Sequence, residues 1–498
     1  MNMSTFTYRD LQTATSGKWY NIDTNIDCYV TSKITSISTD TRINNKNALF
    51  LALAGVNFDA HNYLKEAVDS GASALCLQRG KYKIGKPLNI PILEVQDTLK
   101  AYQKIANFHR KRLKELLLIA ITGSNGKTST KDILHGILSS EFGKGKVYTT
   151  KANTNNLIGA PQNILNLTNK HRFAVIELGS NHPGEISKLT QITNPDIAVI
   201  TSIGPAHLEF FKNITGVIKE KISIFTAFNN PKKRIAIIPA EYSNNKTVKQ
   251  SADKCKTITF GKTEKADISW KLLHTAVNKT EFQLIWNSEN IREKVSWNIP
   301  GTHQLSNAAA AAAVAVVIGI TPQNIATALR HCKISGMRMK INKINGITWI
   351  NDAYNANPAS TKAGIDWLHE IARSMLSTGN NKRLFVILGD MLELGKDTLD
   401  IHKEIVEYTM DKLPNAQIYG VGPIMSNVIN SLKTSPPNNA GVSSFQNSQE
   451  AASFLKNELK TGDLIYLKGS RGIALETIEF RISVGANHYS SFFPNHNN

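Results

Sequence analysis

Short runs of consecutive apolar residues, each followed by a glycine-containing loop and a helical pattern, recur along most of the chain. ALFLALAG (48–55), the helical YLKEAVDSGA and the run SALCLQ mark the first hundred residues as small α/β material. LLLIAIT (116–122), FAVIELG (173–179) and IAVITSIG (197–204) are rich in branched residues, which predicts parallel strands buried on both faces. Their alternation with helices predicts a doubly wound sheet, with ligands gathering at the C-terminal strand ends. Between residues 240 and 300 apolar and polar positions alternate (TITFG, ISWKLL, EFQLIW, VSWNIP), the mark of an antiparallel excursion.

An alanine-rich helix follows, with Ser306 as its expected cap. Its apolar run, Ala308 to Ile320, is shorter than the roughly 20 residues a bilayer span needs. A third α/β unit begins near residue 334, with strands at GITWINDAY (346–354), RLFVILGD (383–390), QIYGVG (417–422) and DLIYLKG (463–469). SPPNNAGVSS (435–444) reads as a surface loop, and the tail after Ala486 carries no assignable role. The expected fold class is therefore α/β in three domains, 1–114, 115–333 and 334–498, the central one built on a mostly parallel sheet.

Composition narrows the class of protein. A 41% hydrophobic content across 498 residues excludes wholesale disorder. Four scattered cysteines, Cys28, Cys76, Cys255 and Cys332, form no C-x-x-C pair, against a disulfide framework or a zinc knuckle. The opening MNMSTFTYRDL has neither the basic nor the apolar region of a secretory signal, so a cytoplasmic location is expected. The net charge of +19 asks for an anionic partner: nucleic acid, a membrane surface or nucleotides. HRKR (109–112) and PKKR (231–234) are short and lack interleaved aromatics, which disfavours a nucleic-acid-binding NTPase.

The sharpest chemical signal is TGSNGKTST, Thr122 to Thr130, between a buried strand and the helical KDILHGILSS. A strand–loop–helix of this kind aims backbone N–H groups at an anion, and Gly123 and Gly126 let the backbone approach phosphates closely. Lys127 would reach the β- and γ-phosphates, and the Thr128 hydroxyl would ligate Mg²⁺. The string is a shortened G-x-x-G-K-T, since Ile121 stands where the longer pattern has glycine. Two later strand ends offer further ligands, Glu177 in VIELGSNHPGEI and His207 in TSIGPAHLEFF.

Together TGSNGKTST, NTNNLIGAPQNIL (153–165), IELGSNHPGEI, SIGPAHLEFF, NDAYNANPAS (351–360) and LGDMLELG (388–395) resemble the Mur ligases of peptidoglycan synthesis. The likeness runs in order from Ser38 to Glu476. It implies an N-terminal UDP-binding domain, a central ATPase of the phosphate-loop type and a C-terminal Rossmann-like domain. It also implies an acyl-phosphate reaction using ATP and two Mg²⁺ ions, with UDP-MurNAc-tripeptide and D-alanyl-D-alanine as substrates. A monomer is expected, with no nucleic-acid partner and no membrane insertion. The alternative within the resemblance is a sister ligase that adds a single amino acid. The third peptide residue, meso-diaminopimelate or lysine, stays open.

By position, the resemblance gives Gly123, Ser124, Asn125, Gly126, Lys127, Thr128 and Ser129 to ATP, with Asn307 on the adenine side, Arg338 on phosphate and Asp352 on the ribose. Tyr354, Asn355 and Asn357 share that nucleotide-facing motif. Lys127, His207 and Lys221 are the implied catalytic residues, and Thr128, Glu177, His207 and Lys221 the implied metal ligands, Lys221 as an N-carboxylate. Asp40, Thr41, Arg42 and His61 fall in the uridine-nucleotide segments, Asn155 and Asn156 face the muramoyl-peptide, and Ser470 and Arg471 meet the dipeptide. Four positions depart from the family pattern: Ser223 replaces glutamate, Gln304 asparagine, and Thr41 and Ala353 serine.

Overall fold

In the computed structural model, residues 5–22, 33–82, 88–228, 234–377, 382–432 and 441–484 are described. Cys28, residues 231–233 of the PKKR stretch, residues 435–440 of the expected surface loop and the tail after Ala486 lie outside them. The apolar runs pair into three sheets. In the first, Ser36–Ser38, Ala48–Leu51, Ala74–Gln78 and Ile92–Val95 run parallel in that order, and Lys18–Tyr20 closes the edge antiparallel to Ile92–Val95.

The second sheet holds nine strands. Val147–Thr149, Phe173–Glu177, Leu117–Thr122, Ile197–Ile200, Ile235–Pro239, Lys256–Gly261 and Ile268–Ala276 lie side by side and parallel. Lys279–Trp286 and Ile291–Trp297 then extend the same sheet antiparallel, so the polar excursion is a continuation of the sheet. The third sheet is ordered Lys340–Ile344, Ile347–Asn351, Leu464–Lys468, Leu384–Gly389, Gln417–Val421, Val442–Phe445, antiparallel only at its first pair.

Two helices position the site. The alanine-rich helix spans His303–Val317, and Ala308 through Ala313 are wholly buried against the helix Lys127–Phe142 that follows the phosphate loop. Alanine combines the highest helix propensity with the smallest side chain, so the two backbones pack closely. Enlarging one of these alanines would overpack the contact at about 1–3 kcal/mol. The helix begins three residues before Ser306, the expected cap. The Ser306 hydroxyl instead accepts from Trp270 Nε1 at 3.1 Å, a tertiary bond that no local pattern announces.

The helix Thr98–Arg112 belongs to two cores at once: Ala101, Tyr102 and Ile105 pack under the first sheet, Ala106 under the second. Its basic last turn suits the negative end of the helix dipole. Arg110 is buried there against Asp196 at 2.7 Å, and Asn107 donates to Gln191 O at 2.7 Å. The HRKR run is thus a brace between the first two units rather than an open basic face.

Candidate active site

The strand Leu117–Thr122 delivers the chain to Gly123, which takes φ +151°, while Gly126 takes φ +82°. At Gly123 a Cβ would come within 2.1 Å of Thr201 Oγ1, so only glycine fits. The next strand's end backs the loop. Asn125 N donates to Ser202 Oγ at 2.9 Å, Thr201 Oγ1 donates to Asn125 O at 2.5 Å, and Ser124 Oγ donates to Gly204 O at 2.8 Å. Lys127 and Ser129 open the helix, and Lys127 Nζ donates to Gly123 O at 2.7 Å, over the loop. Burial holds the Lys127 pKa below its ordinary value, against the pull of the Glu177 charge.

From Thr128 a chain of polar contacts crosses the site. Its hydroxyl donates to Glu177 Oε2 at 2.8 Å, and Glu177 Oε1 accepts from Asn155 Nδ2 at 2.9 Å. Arg338, from the C-terminal unit, donates through Nη2 to Thr128 Oγ1 at 3.1 Å. Around this chain Asn125 and Asn357 exchange side-chain amide bonds of 3.2 and 2.6 Å, and the Tyr354 hydroxyl donates to Asn153. A cavity of about 390 Å³ opens between Gly126, His303 and Asn307 on one wall and Ala359, Ser360 and Ala363 on the other.

Lys221 is only 2% exposed on the helix Ile214–Thr226, and its Nζ donates to Ser180 Oγ at 3.0 Å. Among the described residues it has no ion-pair partner. Burial, reinforced by the Lys127 charge and opposed by Glu220 and Glu185, pushes its pKa down to about 7. Ser223 donates to Glu220 O at 2.6 Å. Glu220, one turn earlier on the same face, accepts from the N–H groups of Gly184 and Ile186 at 2.6 and 2.8 Å. A carboxylate therefore stands on this face despite the serine at 223.

Several expected ligand residues are committed to the protein itself. The Asp352 carboxylate is buried in an ion pair with Lys468 at 2.8 Å and accepts from Tyr466 OH at 3.1 Å. Asn307 donates to Gln304 Oε1 at 2.8 Å and accepts from Thr130 Oγ1 at 3.3 Å, so it buttresses the loop, and Gln304 fixes it. Asn156 Oδ1 accepts from Gly159 N, the first residue of the helix Gly159–Leu165, at 2.9 Å, and the Asn355 side chain accepts from Ala356 N at 3.0 Å. Ser470 Oγ accepts from Leu392 N at 3.0 Å. His61 has no free ring nitrogen: Nδ1 meets Asp59 at 2.5 Å and Nε2 accepts from Gln78 N at 3.0 Å, locking its loop to a strand.

Two arginines remain open to ligands. Arg42, beyond Thr41 on the exposed STDTR turn, is held by both Asp40 oxygens, and this pairing keeps the Asp40 carboxyl down at about 2. Arg471 is half exposed and paired with Glu476 at 2.5 Å. Ser180, Glu220, Lys468 and Glu393 join the site through tertiary contacts that no sequence pattern announces. Glu393 lies in the LGDMLELG motif, and its carboxylate contacts His207 Nδ1.

Known proteins resemble this chain over most of its length. Residues 121–315 match the Mur ligase middle domain, and residues 337–471 match the Mur ligase, glutamate ligase domain. Over 453 residues the chain is 33% identical to a UDP-N-acetylmuramoyl-tripeptide–D-alanyl-D-alanine ligase of Bacillus subtilis, covering 90% of this chain and 93% of that one. The chain belongs to the Mur ligase family. A relative of the same name from Buchnera aphidicola is 36% identical over 449 residues, 89% of this Mur ligase and 91% of the relative. The crystal structure of MurF from Acinetobacter baumannii superposes with a TM-score of 0.83 at 28% identity, covering 97% of this chain and 100% of that chain. MurF from Thermotoga maritima, solved in complex with ADP, shares the fold with a TM-score of 0.76 at 24% identity, over 90% and 97% of the two chains.

The side chains of the Mur ligase site suit Mg²⁺ bound together with a nucleotide. Among the described residues no three His, Cys, Asp or Glu side chains cluster as an all-protein cage. Mg²⁺ needs none, since it keeps waters and takes phosphate oxygens alongside one or two carboxylates. Glu177 is a buried carboxylate with no ion pair among the described residues, and Lys221 a buried amine with none. Each calls for an opposite charge or for neutralisation.

Proposed function

We propose that this Mur ligase joins D-alanyl-D-alanine to UDP-MurNAc-tripeptide, with ATP converted to ADP and phosphate. The observation that carries this reading is the reach of Arg338 from the C-terminal unit to Thr128, which sets the phosphate loop inside a cleft between two units. The tripeptide's terminal carboxylate attacks the γ-phosphorus, and ADP leaves. The dipeptide amine then adds to the acyl carbon, and the tetrahedral adduct loses its proton and expels phosphate, leaving the amide.

Two anions must meet in the first step, so charge neutralisation and positioning dominate the barrier. Lys127 and Arg338 supply fixed positive charge, and the loop's N–H groups point at the phosphates. Thr128, Glu177, His207 and Lys221 would hold Mg²⁺, which supplies further neutralisation of the phosphate charge. Lys221 would do so after its neutral amine adds CO₂ and releases a proton, forming an N-carboxylate. Its burial beside the Ser180 hydroxyl supports that reading. The acyl phosphate is prone to hydrolysis, and interdomain contacts at Asn357, Tyr354 and Glu393 would help to keep water out.

Arg42 and Arg471 are the available cations for the uridine diphosphate and for the dipeptide carboxylate. The reaction belongs in the cytoplasm, where both nucleotides are at hand, and the protein works as a monomer. ADP release should follow from UDP-MurNAc-tripeptide plus D-alanyl-D-alanine and not from single amino acids. Turnover with a single amino acid alone would overturn the reading. Diaminopimelate and lysine tripeptides compared side by side would settle the third peptide residue.

A further inference from the structure

His207 and Glu393 meet across the cleft, 186 positions apart in the chain. Both adopt the left-handed backbone that non-glycine residues avoid, His207 at φ +50° and Glu393 at φ +63°. Each such residue costs on the order of 1–3 kcal/mol and persists only where surrounding structure over-determines it. The surroundings do so here. Met391 N donates to His402 Nε2 at 2.8 Å, Leu392 N donates to Ser470 Oγ at 3.0 Å, and Gly395 closes on the backbone of Glu209. Glu393 is thus presented by a loop anchored on both sides.

The geometry points to Glu393 as the residue that positions His207. Its carboxylate accepts the Nδ1 proton, fixes the ring and tautomer, and leaves Nε2 as the nitrogen able to ligate metal. A metal-ligating histidine commonly gives its other N–H to a carboxylate, which orients the ring and raises its basicity. Here that carboxylate comes from a different unit than the histidine. Docking of the C-terminal unit therefore completes a metal ligand of the central unit, so that the site gains full affinity for its ion only when the cleft is closed. This inference rests on the reading of His207 as a metal ligand.

The test is Mn²⁺ binding, followed by electron paramagnetic resonance in the presence of a non-hydrolysable ATP analogue. Wild type is compared with His207→Ala, Glu393→Ala, Glu393→Asp and the double variant His207→Ala/Glu393→Ala. Glu393→Ala should weaken Mn²⁺ about tenfold, the usual scale for losing such an outer partner. Glu393→Asp should restore part of the loss, and the double variant should bind no worse than His207→Ala. Thermal denaturation of each variant monitors folding independently. Unchanged Mn²⁺ affinity in Glu393→Ala beside a loss in His207→Ala would overturn the positioning role while sparing the metal ligand. Additive losses in the double variant would also overturn it. Unchanged affinity in His207→Ala would remove the ligand assignment, and this inference with it.

Discussion

The Arg338 guanidinium lies 3.6 Å from the centroid of the Tyr354 ring, and from that seat its Nη2 reaches Thr128. Arginine's planar, weakly hydrated group stacks well on an aromatic face, and stacking removes much of the freedom of a long side chain. The tyrosine of the NDAYNANP motif therefore acts through the arginine, holding a positive charge where transferred phosphate would develop negative charge.

Tyr354→Ala should lower kcat/KM for ATP by roughly 2- to 30-fold, the equivalent of about 0.5–2 kcal/mol of cation–π attraction. Tyr354→Phe keeps the ring and should stay within about twofold of wild type on the same physical ground. Steady-state kinetics of ADP release decide between the two. If the phenylalanine variant falls as far as the alanine variant, the hydroxyl contact to Asn153 is what matters, and the stack is incidental.

Lys221→Ala should lose on the order of 10²-fold in turnover, the scale for removing one oriented charge-stabilising group. Acetate or propionate should restore part of it by supplying a carboxylate in the space left by the side chain. Wild-type enzyme freed of bicarbonate should weaken in parallel and recover when bicarbonate is returned. Unimpaired turnover of Lys221→Ala would end the N-carboxylate reading.

Stability should fall as the medium is acidified below the ordinary histidine range. His402 is buried as a neutral ring, with Nδ1 donating to Thr398 O at 2.6 Å and Nε2 accepting from Met391 N. Burial lowers its folded pKa, as it does for His109 and His303. The unfolded chain protonates near 6.5, so these contributions are whole above about pH 6.5 and shrink as pH falls toward the folded values. Denaturant midpoints compared at about pH 7.5 and about pH 5.5 should drop, and drop less in His402→Gln. An equal drop in that variant would show that His402 carries none of the effect.

The strands were readable because burial on both faces leaves an unmistakable apolar run, as at Leu117–Thr122. That Lys127, Thr128 and Glu177 lie together was readable for a related reason, since a doubly wound sheet brings its strand ends to one edge. What sequence could not show were pairings set by tertiary contact. Lys468 lies 116 positions from the Asp352 carboxylate it claims, and Ser180 lies 41 from Lys221. The alanine helix starts at His303, three residues before Ser306, whose hydroxyl is taken by Trp270. Local propensity cannot anticipate a partner from another strand.

Gly126 offers the most stringent check of the nucleotide site. At φ +82° any side chain costs roughly 1–2 kcal/mol of backbone strain. Its Cβ would stand 2.2 Å from Asn307 Oδ1. Asn307 cannot retreat, because Gln304 and Thr130 hold its amide and the alanines beyond it are fully buried. Gly126→Ala must therefore move the loop itself, tilting the N–H groups away from the phosphates. The variant should lower the melting temperature and weaken binding of an ATP analogue by about tenfold or more, since 1.4 kcal/mol already amounts to tenfold. Adding Asn307→Ala should relieve the clash and recover part of the melting temperature without recovering nucleotide affinity, because the strained φ and the lost buttress remain. Wild-type affinity in Gly126→Ala, read by calorimetry, would mean that the phosphates do not sit on this loop.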